Sequence, residues 1–343
     1  MSHLNSRRTV IKLIGLGALN AAYGIPAAWA AAAEGAKMVT DPAHIRFATA
    51  GTGSGWYAMG GAFRNVLLKG LPNGSSVEVM STPMAIANTF LVSRGDADVG
   101  LNFPPVVAWA EQGVGPFKEP ISNIRGLLGG LDQYWQRVTV RNGYELEKLS
   151  DIKEKKLPVR IGTGPDGSLN EYMARLILEA NGITYDDIKG YGGNVVRSGL
   201  SVITDLFQDN RLDMVMGITT PGHPNTAQLS IAPGQRFLGL QDHAIEYLKK
   251  YGFSEATMPA GMFEKQDYPV KGVGWSTGIY ASSAMSDDEA YSICKSILAG
   301  IDELKGSLAS MKDWTPQIAS DPQRIGGTIH PGAEAYFKEA GLR

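Results

Sequence analysis

Cysteine is almost missing from this chain: of 343 residues only Cys294 carries a thiol. A single thiol excludes an internal disulfide and any metal site built from thiolates. It falls in a stretch of helical period, residues 287–304, where a buried, inert thiol is the expected reading. Histidine is nearly as scarce. The five present, His3, His44, His223, His243 and His330, share no metal-ligand spacing, so no metal is expected. An excess of one charge is lacking too. The 32 basic and 34 acidic side chains leave a formal net charge of -2, without a long basic run, which argues against nucleic acid as a partner. Beyond the first thirty residues no apolar run reaches the ~20 residues that span a bilayer.

What is present is apolar bulk. Hydrophobic residues make up 43% of the chain, enough for a large core and better suited to two domains than to one. The first thirty residues differ in kind from the rest. Ser6-Arg7-Arg8-Thr9 leads into a mildly apolar, acid-free stretch, residues 13–27, that ends in Ala28-Trp29-Ala30. This reads as a removable export signal over residues 1–30, of the twin-arginine type, with a general secretory signal as the other reading. Either route places the mature chain in the periplasm. No cysteine stands at the cleavage site to carry a lipid.

Two later segments say nearly the same thing. Residues 44–55 form a short apolar run that breaks into Gly51-Thr52-Gly53-Ser54-Gly55, and residues 157–168 form another that breaks into Gly162-Thr163-Gly164-Pro165-Asp166-Gly167-Ser168. A helix-period stretch follows each: Met59, Phe63, Val66 and Leu67 after the first, Met173, Leu176, Ile177 and Ala180 after the second. Each therefore predicts a strand, a glycine loop and a helix N-terminus, an arrangement of free N–H groups and helix dipole that favours an anion. Ser168 and Glu171 have the spacing of a capping box. Further along, strands are predicted at residues 76–80 and 96–102, with Ser81-Thr82-Pro83 capping the helix between them. A helix at residues 199–209 leads to a strand at 211–217. Gly51 to Asp98 spans 47 residues and Gly162 to Asp213 spans 51, which argues for two related α/β lobes. Residues 134–143 and 273–281 are expected to cross between them. Two crossovers make a hinge that permits closure on a ligand. The resulting division is lobe 1 at 41–140 plus 266–343 and lobe 2 at 141–265, with residues 287–343 as helices folded back on lobe 1.

The motifs, taken together and in order, closely resemble the TAXI-type solute receptors of tripartite ATP-independent periplasmic (TRAP) transporters. The family's glycine-rich opening stands here as Ala48-Thr-Ala-Gly-Thr-Gly-Ser-Gly-Trp56-Tyr57, and its later motifs as Gly95-Asp-Ala-Asp-Val-Gly100, Gly164-Pro-Asp-Gly-Ser168, Thr184-Tyr-Asp-Asp-Ile188 and His330-Pro-Gly-Ala-Glu-Ala-Tyr336. The resemblance covers nearly all of the mature chain. It implies a type II periplasmic-binding-protein fold, a cleft between two α/β lobes joined by a two-strand hinge, a small organic anion of the amino acid, dicarboxylate or 2-oxoacid type as ligand, no cofactor, and a membrane permease as partner of a monomeric receptor. A receptor for an ABC importer or a sensor kinase is the alternative within the same fold. The chain departs from the family at Trp56, where tyrosine is commoner, and at residues 192–197.

On this reading the first loop offers Thr52, Gly53, Ser54, Gly55, Trp56 and Tyr57, the aromatic pair lying at the mouth of the crevice. Ser81 and Thr82 are helix caps whose second lone pair can face a ligand. Asn102 ends a buried strand, as a turn residue or as a contact. In lobe 2, Gly164, Asp166, Gly167 and Ser168 offer backbone N–H groups and a capping hydroxyl. Arg197 is either a solvated surface arginine or a bidentate carboxylate ligand. Thr219 and Thr220 add hydroxyls, while a rigid Pro-Gly turn accounts for His223 and a structural role for His330. Enzyme readings fare worse. Gly53-Ser-Gly-Trp-Tyr-Ala58 fits a dinucleotide fingerprint, but Trp56 and Tyr57 sit where backbone must approach a pyrophosphate. Gly274-Trp-Ser-Thr-Gly278 fits a nucleophile elbow, with Asp287 and His330 downstream, yet strand-like sequence follows where a helix is needed. No catalytic residue is expected.

Overall fold

The computed structural model describes residues 35–343. The expected export signal lies outside the described residues. Among the described residues no helix is long and apolar enough to cross a membrane.

His44–Ala48 (β1) delivers the chain to Gly55–Gly70 (α1), whose apolar stripe Met59, Phe63, Val66 and Leu67 is buried as its helical spacing requires. Ser76–Met80 (β2), Ala85–Arg94 (α2), Val99–Asn102 (β3), Pro104–Gln112 (α3) and Ile124–Leu128 (β4) follow. β1, β2 and β3 are parallel, and a strand from far along the chain, Gly278–Ser282 (β12), is inserted antiparallel between β3 and β4. The sheet order is β2-β1-β3-β12-β4.

The second lobe is built the same way. Tyr134–Arg141 (β5), Arg160–Thr163 (β6), Leu169–Ala180 (α4), Tyr185–Gly190 (α5), Asn194–Arg197 (β7), Leu200–Gln208 (α6) and Met214–Thr219 (β8) are followed by Pro224–Ile231 (α7), Gln235–Phe237 (β9), Asp242–Lys249 (α8), Ser254–Met258 (β10) and Val270–Trp275 (β11). The path is β10-β11-β5-β8-β6-β7, with β9 on β5. β6, β7 and β8 are parallel, and β5 is antiparallel to β8, as β12 is to β3. Each lobe thus completes its parallel sheet with one antiparallel strand that enters from the other lobe.

This topology moves the lobe boundaries from where the sequence suggested. Tyr134–Arg141 does not cross: all of it lies in the second sheet, as does Val270–Trp275, so the crossings fall at residues 129–133 and 276–277. They are bonded to each other, Leu131 N–H donating to the Thr277 carbonyl at 3.0 Å and Thr277 N–H to Asp132 Oδ1 at 2.9 Å. The strand pattern at residues 134–143 predicts β5 but carries no record of which sheet it joins.

Two local expectations also change. α2 starts at Ala85, with Met84 before it at φ 82° and no side-chain cap, so Ser81 and Thr82 do not cap it and Pro83 lies outside it. Ser168 caps α4 by accepting from Glu171 N–H at 3.3 Å, but the Glu171 carboxylate turns to Arg175 instead of closing a box. A complete capping box does open Asp287–Ala299 (α9), through Ser286 and Glu289. α9 packs on α1 and on Pro331–Glu339 (α10), folding the C-terminal helices onto lobe 1. Cys294 is buried in α9, where desolvation pushes its thiol pKa up. His330 and Asp287 do meet, at 3.6 Å, but His330 Nε2 faces the Met285 carbonyl and Nδ1 caps α10 at Gly332 N–H. His330 is held as a helix cap, and Ser276 lies on the crossing.

Candidate functional site

The glycine loops leave the carboxyl ends of β1 and β6, the edge at which open α/β sheets place their ligands. Their likeness is closer than the shared Gly-Thr-Gly suggests, and lies in a different register. Gly162 and Thr163 belong to strand β6, whereas Gly51 to Gly53 follow strand β1. The equivalent positions are 114 residues apart: Thr49 with Thr163, Gly53 with Gly167, Ser54 with Ser168. In each loop a serine N–H closes a turn onto the carbonyl three residues back, Ser54 onto Gly51 at 3.1 Å and Ser168 onto Pro165 at 3.0 Å. Glycine holds the third turn position at φ +83° and +76°, where other residues are strained. The serine then caps the helix, Ser54 at φ -83°, ψ 158° and Ser168 at φ -84°, ψ 155°.

The repeat extends to a charged fork at the amino-terminal edge of each sheet, opposite the loop. Arg46 on β1 and Arg160 on β6 both engage an aspartate just before the third strand of their lobe. Asp98 accepts from Arg46 N–H at 2.7 Å, Nε at 3.0 Å and Nη2 at 2.8 Å. Asp213 accepts the same three from Arg160 at 2.9, 2.9 and 2.5 Å. Burial alone would raise the Asp98 pKa, but the Arg46 hydrogen bonds win and lower it. The aspartates thus belong to the scaffold, tying the start of β3 to β1 and the start of β8 to β6.

Thr52, Gly53 and Gly55 are exposed on the first loop, with Ser54 and Tyr57 half-buried beside them and Ser81 exposed on the next loop. Trp56 differs from its expected role. It is 1% exposed, its ring packs 4.7 Å from Phe103 and 6.4 Å from Tyr134, and Nε1 donates to Thr277 Oγ1 at 3.1 Å. It ties α1 to the return crossing and has no face left for a solute. Thr82 is also turned inward, its hydroxyl 2.6 Å from Asn88 Oδ1 and 2.9 Å from the Thr49 carbonyl. Asn102 donates to Thr89 Oγ1 at 2.7 Å and accepts from Phe103 N–H at 2.9 Å, so both ends of its amide are engaged as a turn residue.

In the second lobe Gly167 and Asp166 are exposed, Ser168 and Gly164 buried. Arg197 does not stand free for a carboxylate, because Nη1 lies 2.5 Å from Asp166 Oδ1 and that pair neutralises itself in solvent. Thr219 and Thr220 are occupied as well: Thr219 Oγ1 lies 3.0 Å from Thr226 Oγ1, and Thr220 Oγ1 donates to the Gln133 carbonyl at 2.8 Å. Two further groups lie here, Arg137, which the sequence did not single out, and His223, which it assigned to a rigid turn. Arg137, in the middle of β5, is buried with no acidic partner among the described residues, and desolvation lowers its pKa to about 10. His223 caps α7, and burial followed by the Arg137 charge lowers its pKa to about 4. An arginine at the centre of a buried strand is uncommon, but Gln136, Thr139 and Arg141 beside it hide the anomaly in the sequence.

Aromatic rings from both lobes pack against one another beside the crossings. Phe103 lies 5.7 Å from Trp275, Trp275 4.9 Å from Phe253, and Trp109 of α3 5.5 Å from Phe253 and 5.2 Å from Tyr172 of α4. Asp132 sits in this wall, and burial raises its pKa to about 7 against the bonds from Thr277.

The fold is that of periplasmic binding proteins. The chain is similar to the periplasmic binding protein BugD, with 13% identity over 88% of this chain and 98% of that one and a TM-score of 0.51. It is similar to MatC from Rhodopseudomonas palustris, solved with bound malate, at 10% identity over 88% and 97% with a TM-score of 0.53. A binding protein component of an ABC phosphonate transporter from Pseudomonas aeruginosa matches at 13% identity over 82% and 83%, with a TM-score of 0.51. With residues 47–341 matching its profile, the chain belongs to the NMT1-like family.

Proposed function

We propose that this protein is a periplasmic solute receptor that closes two lobes over a small organic anion and delivers it to a membrane permease of the TRAP type. The observation that carries the reading is the duplicated turn and serine-capped helix at the matching edge of each sheet, in lobes joined by only two crossings. Each loop directs a helix N-terminus and exposed backbone at the space between the lobes, and two such termini suit an anion. No bond is made or broken. The ligand bridges the lobes, and the permease reads the closed form. The TRAP partner is proposed on the resemblance of the sequence motifs to those of the TAXI receptors.

The test is a melting screen of the purified protein against amino acids, dicarboxylates and 2-oxoacids. A cognate solute at ~100 times its Kd stabilises by ~2.7 kcal/mol, a shift of a few degrees for a chain of this size. Native mass spectrometry of protein taken from its own periplasm should show the same solute bound. A flat screen alongside turnover of an ester or a nicotinamide cofactor would sink the receptor reading.

A further inference from the structure

We propose that the N-terminus of α7, with the Arg137 guanidinium beneath it and the His223 ring beside it, is an anion subsite of lobe 2 that takes a carboxylate of the solute. The proposal rests on the receptor reading and names the group that gives it its charge preference.

Arg137 is 2% exposed. Nη1 donates to Thr226 Oγ1 at 3.0 Å and Nε lies 3.4 Å from Thr139 Oγ1, while Nη2 is buried with no hydrogen-bond partner. Among the described residues no carboxylate pairs with it. The groups that face it are hydroxyls and one imidazole: Thr139 from β5, Thr226 from the first turn of α7, Thr219 from β8 through Thr226, and His223. A desolvated cation is costly without a counter-charge, and a helix N-terminus adds positive potential to it. Water can answer the open N–H but not the charge. An anion answers both.

His223 fits the same need. Nδ1 accepts from Thr226 N–H at 3.4 Å, which places the ring proton on Nε2 as a further donor. The turn over the cluster is exposed at Gly222, and it leaves the carboxyl end of β8, next to β6 and its glycine loop. Asn170 of α4 binds Ile218 N–H at 3.0 Å and so fixes that loop against this turn. Arg197, read from the sequence as either a solvated arginine or a carboxylate ligand, is paired with Asp166 at the surface. Arg137 is not.

The experiment uses acetate as probe and acetamide as its neutral isostere. In the wild-type protein at constant ionic strength, acetate should shift the Arg137 Nε–H NMR resonance saturably and acetamide should not; loss of the resonance in Arg137→Lys identifies it. In Arg137→Met, acetate should no longer raise the melting temperature, and a carboxylate solute found by screening should bind roughly 10- to 100-fold more weakly. The unliganded variant should melt at or above the wild type, because an unpaired buried charge has been removed, whereas a purely structural arginine would leave it less stable. A resonance indifferent to acetate overturns the subsite whatever the screen finds. A solute bound equally well by wild type and Arg137→Met overturns it while leaving the receptor reading intact. An acetate response in a protein that binds no larger solute upholds the subsite and removes the receptor reading.

Discussion

Trp56 shows how one residue can be read correctly in kind and wrongly in place. An aromatic after a glycine loop has the composition of a ligand shelf, yet its indole is enclosed by Phe103 and Tyr134 and bonded to Thr277. Trp56→Ala should therefore cost about 3–5 kcal/mol in urea unfolding, through lost packing and an opened cavity. An unfolding midpoint equal to the wild type's would show that the ring is not part of the core. Asp132 governs a different property. Burial holds its pKa at about 7, far above the unfolded value near 3.8, so between those pH values the folded chain keeps a proton that the unfolded chain has lost. Stability from this group therefore falls as pH rises from about 4 to about 7, and is level above. Asp132→Asn, which keeps the acceptor for Thr277 N–H, should gain on the wild type by up to about 4 kcal/mol between pH 4 and pH 8. Urea titrations of both proteins at several pH values measure this, and parallel curves would mean that the folded carboxyl ionises normally. His223 runs the other way, its stabilising effect being lost as pH falls from about 6.5 through about 4.

At the scale of elements, the recurring unit is a strand, a turn closed by serine and a capped helix, braced by an arginine–aspartate fork. Ser54→Ala and Ser168→Ala should each cost about 1 kcal/mol, as a lost N-cap does, and weaken solute binding in addition by loosening the turn that presents the N–H groups. The two forks are unequal. The Asp98 side chain is 30% exposed against 6% for Asp213, so Asp213→Asn should cost roughly 2 kcal/mol and Asp98→Asn less than about 1 kcal/mol. Equal losses in denaturant unfolding would contradict that ordering. The strands and helices of these units were legible in the sequence, because apolar period and stop signals are local. The register of the repeat was not: Gly-Thr-Gly occurs twice by composition, but the second copy begins inside a strand. Only the forks and the turn glycines, Gly53 and Gly167, show which residues correspond.

At the scale of the whole molecule, the lobes meet through two crossings and an aromatic wall that joins Trp56, Phe103 and Trp109 to Tyr134, Trp275, Phe253 and Tyr172. On the receptor reading, closure is a rotation about residues 129–133 and 276–277, where the chain passes between the sheets. Saturation with a cognate solute should lower the radius of gyration in small-angle scattering. A solute that raises the melting temperature without changing the scattering would point to a cleft that binds without closing.

The sequence by itself determined the two α/β lobes of a periplasmic-binding-protein fold and the loop-to-helix units, because these depend on period, turn chemistry and short motifs that neighbouring residues carry. The tertiary structure alone decided which polar groups remain available. Thr82, Asn102, Thr219 and Thr220 look like ligand donors in one dimension, and each has its hydrogen bonds answered by a residue that folding brings to it. Arg197 is paired with Asp166 at the surface, while Arg137, buried in β5, has no carboxylate beside it among the described residues. Hydrogen bonding and ion pairing act over a few ångströms, and which groups lie that close is settled by the packing of strands from opposite ends of the chain.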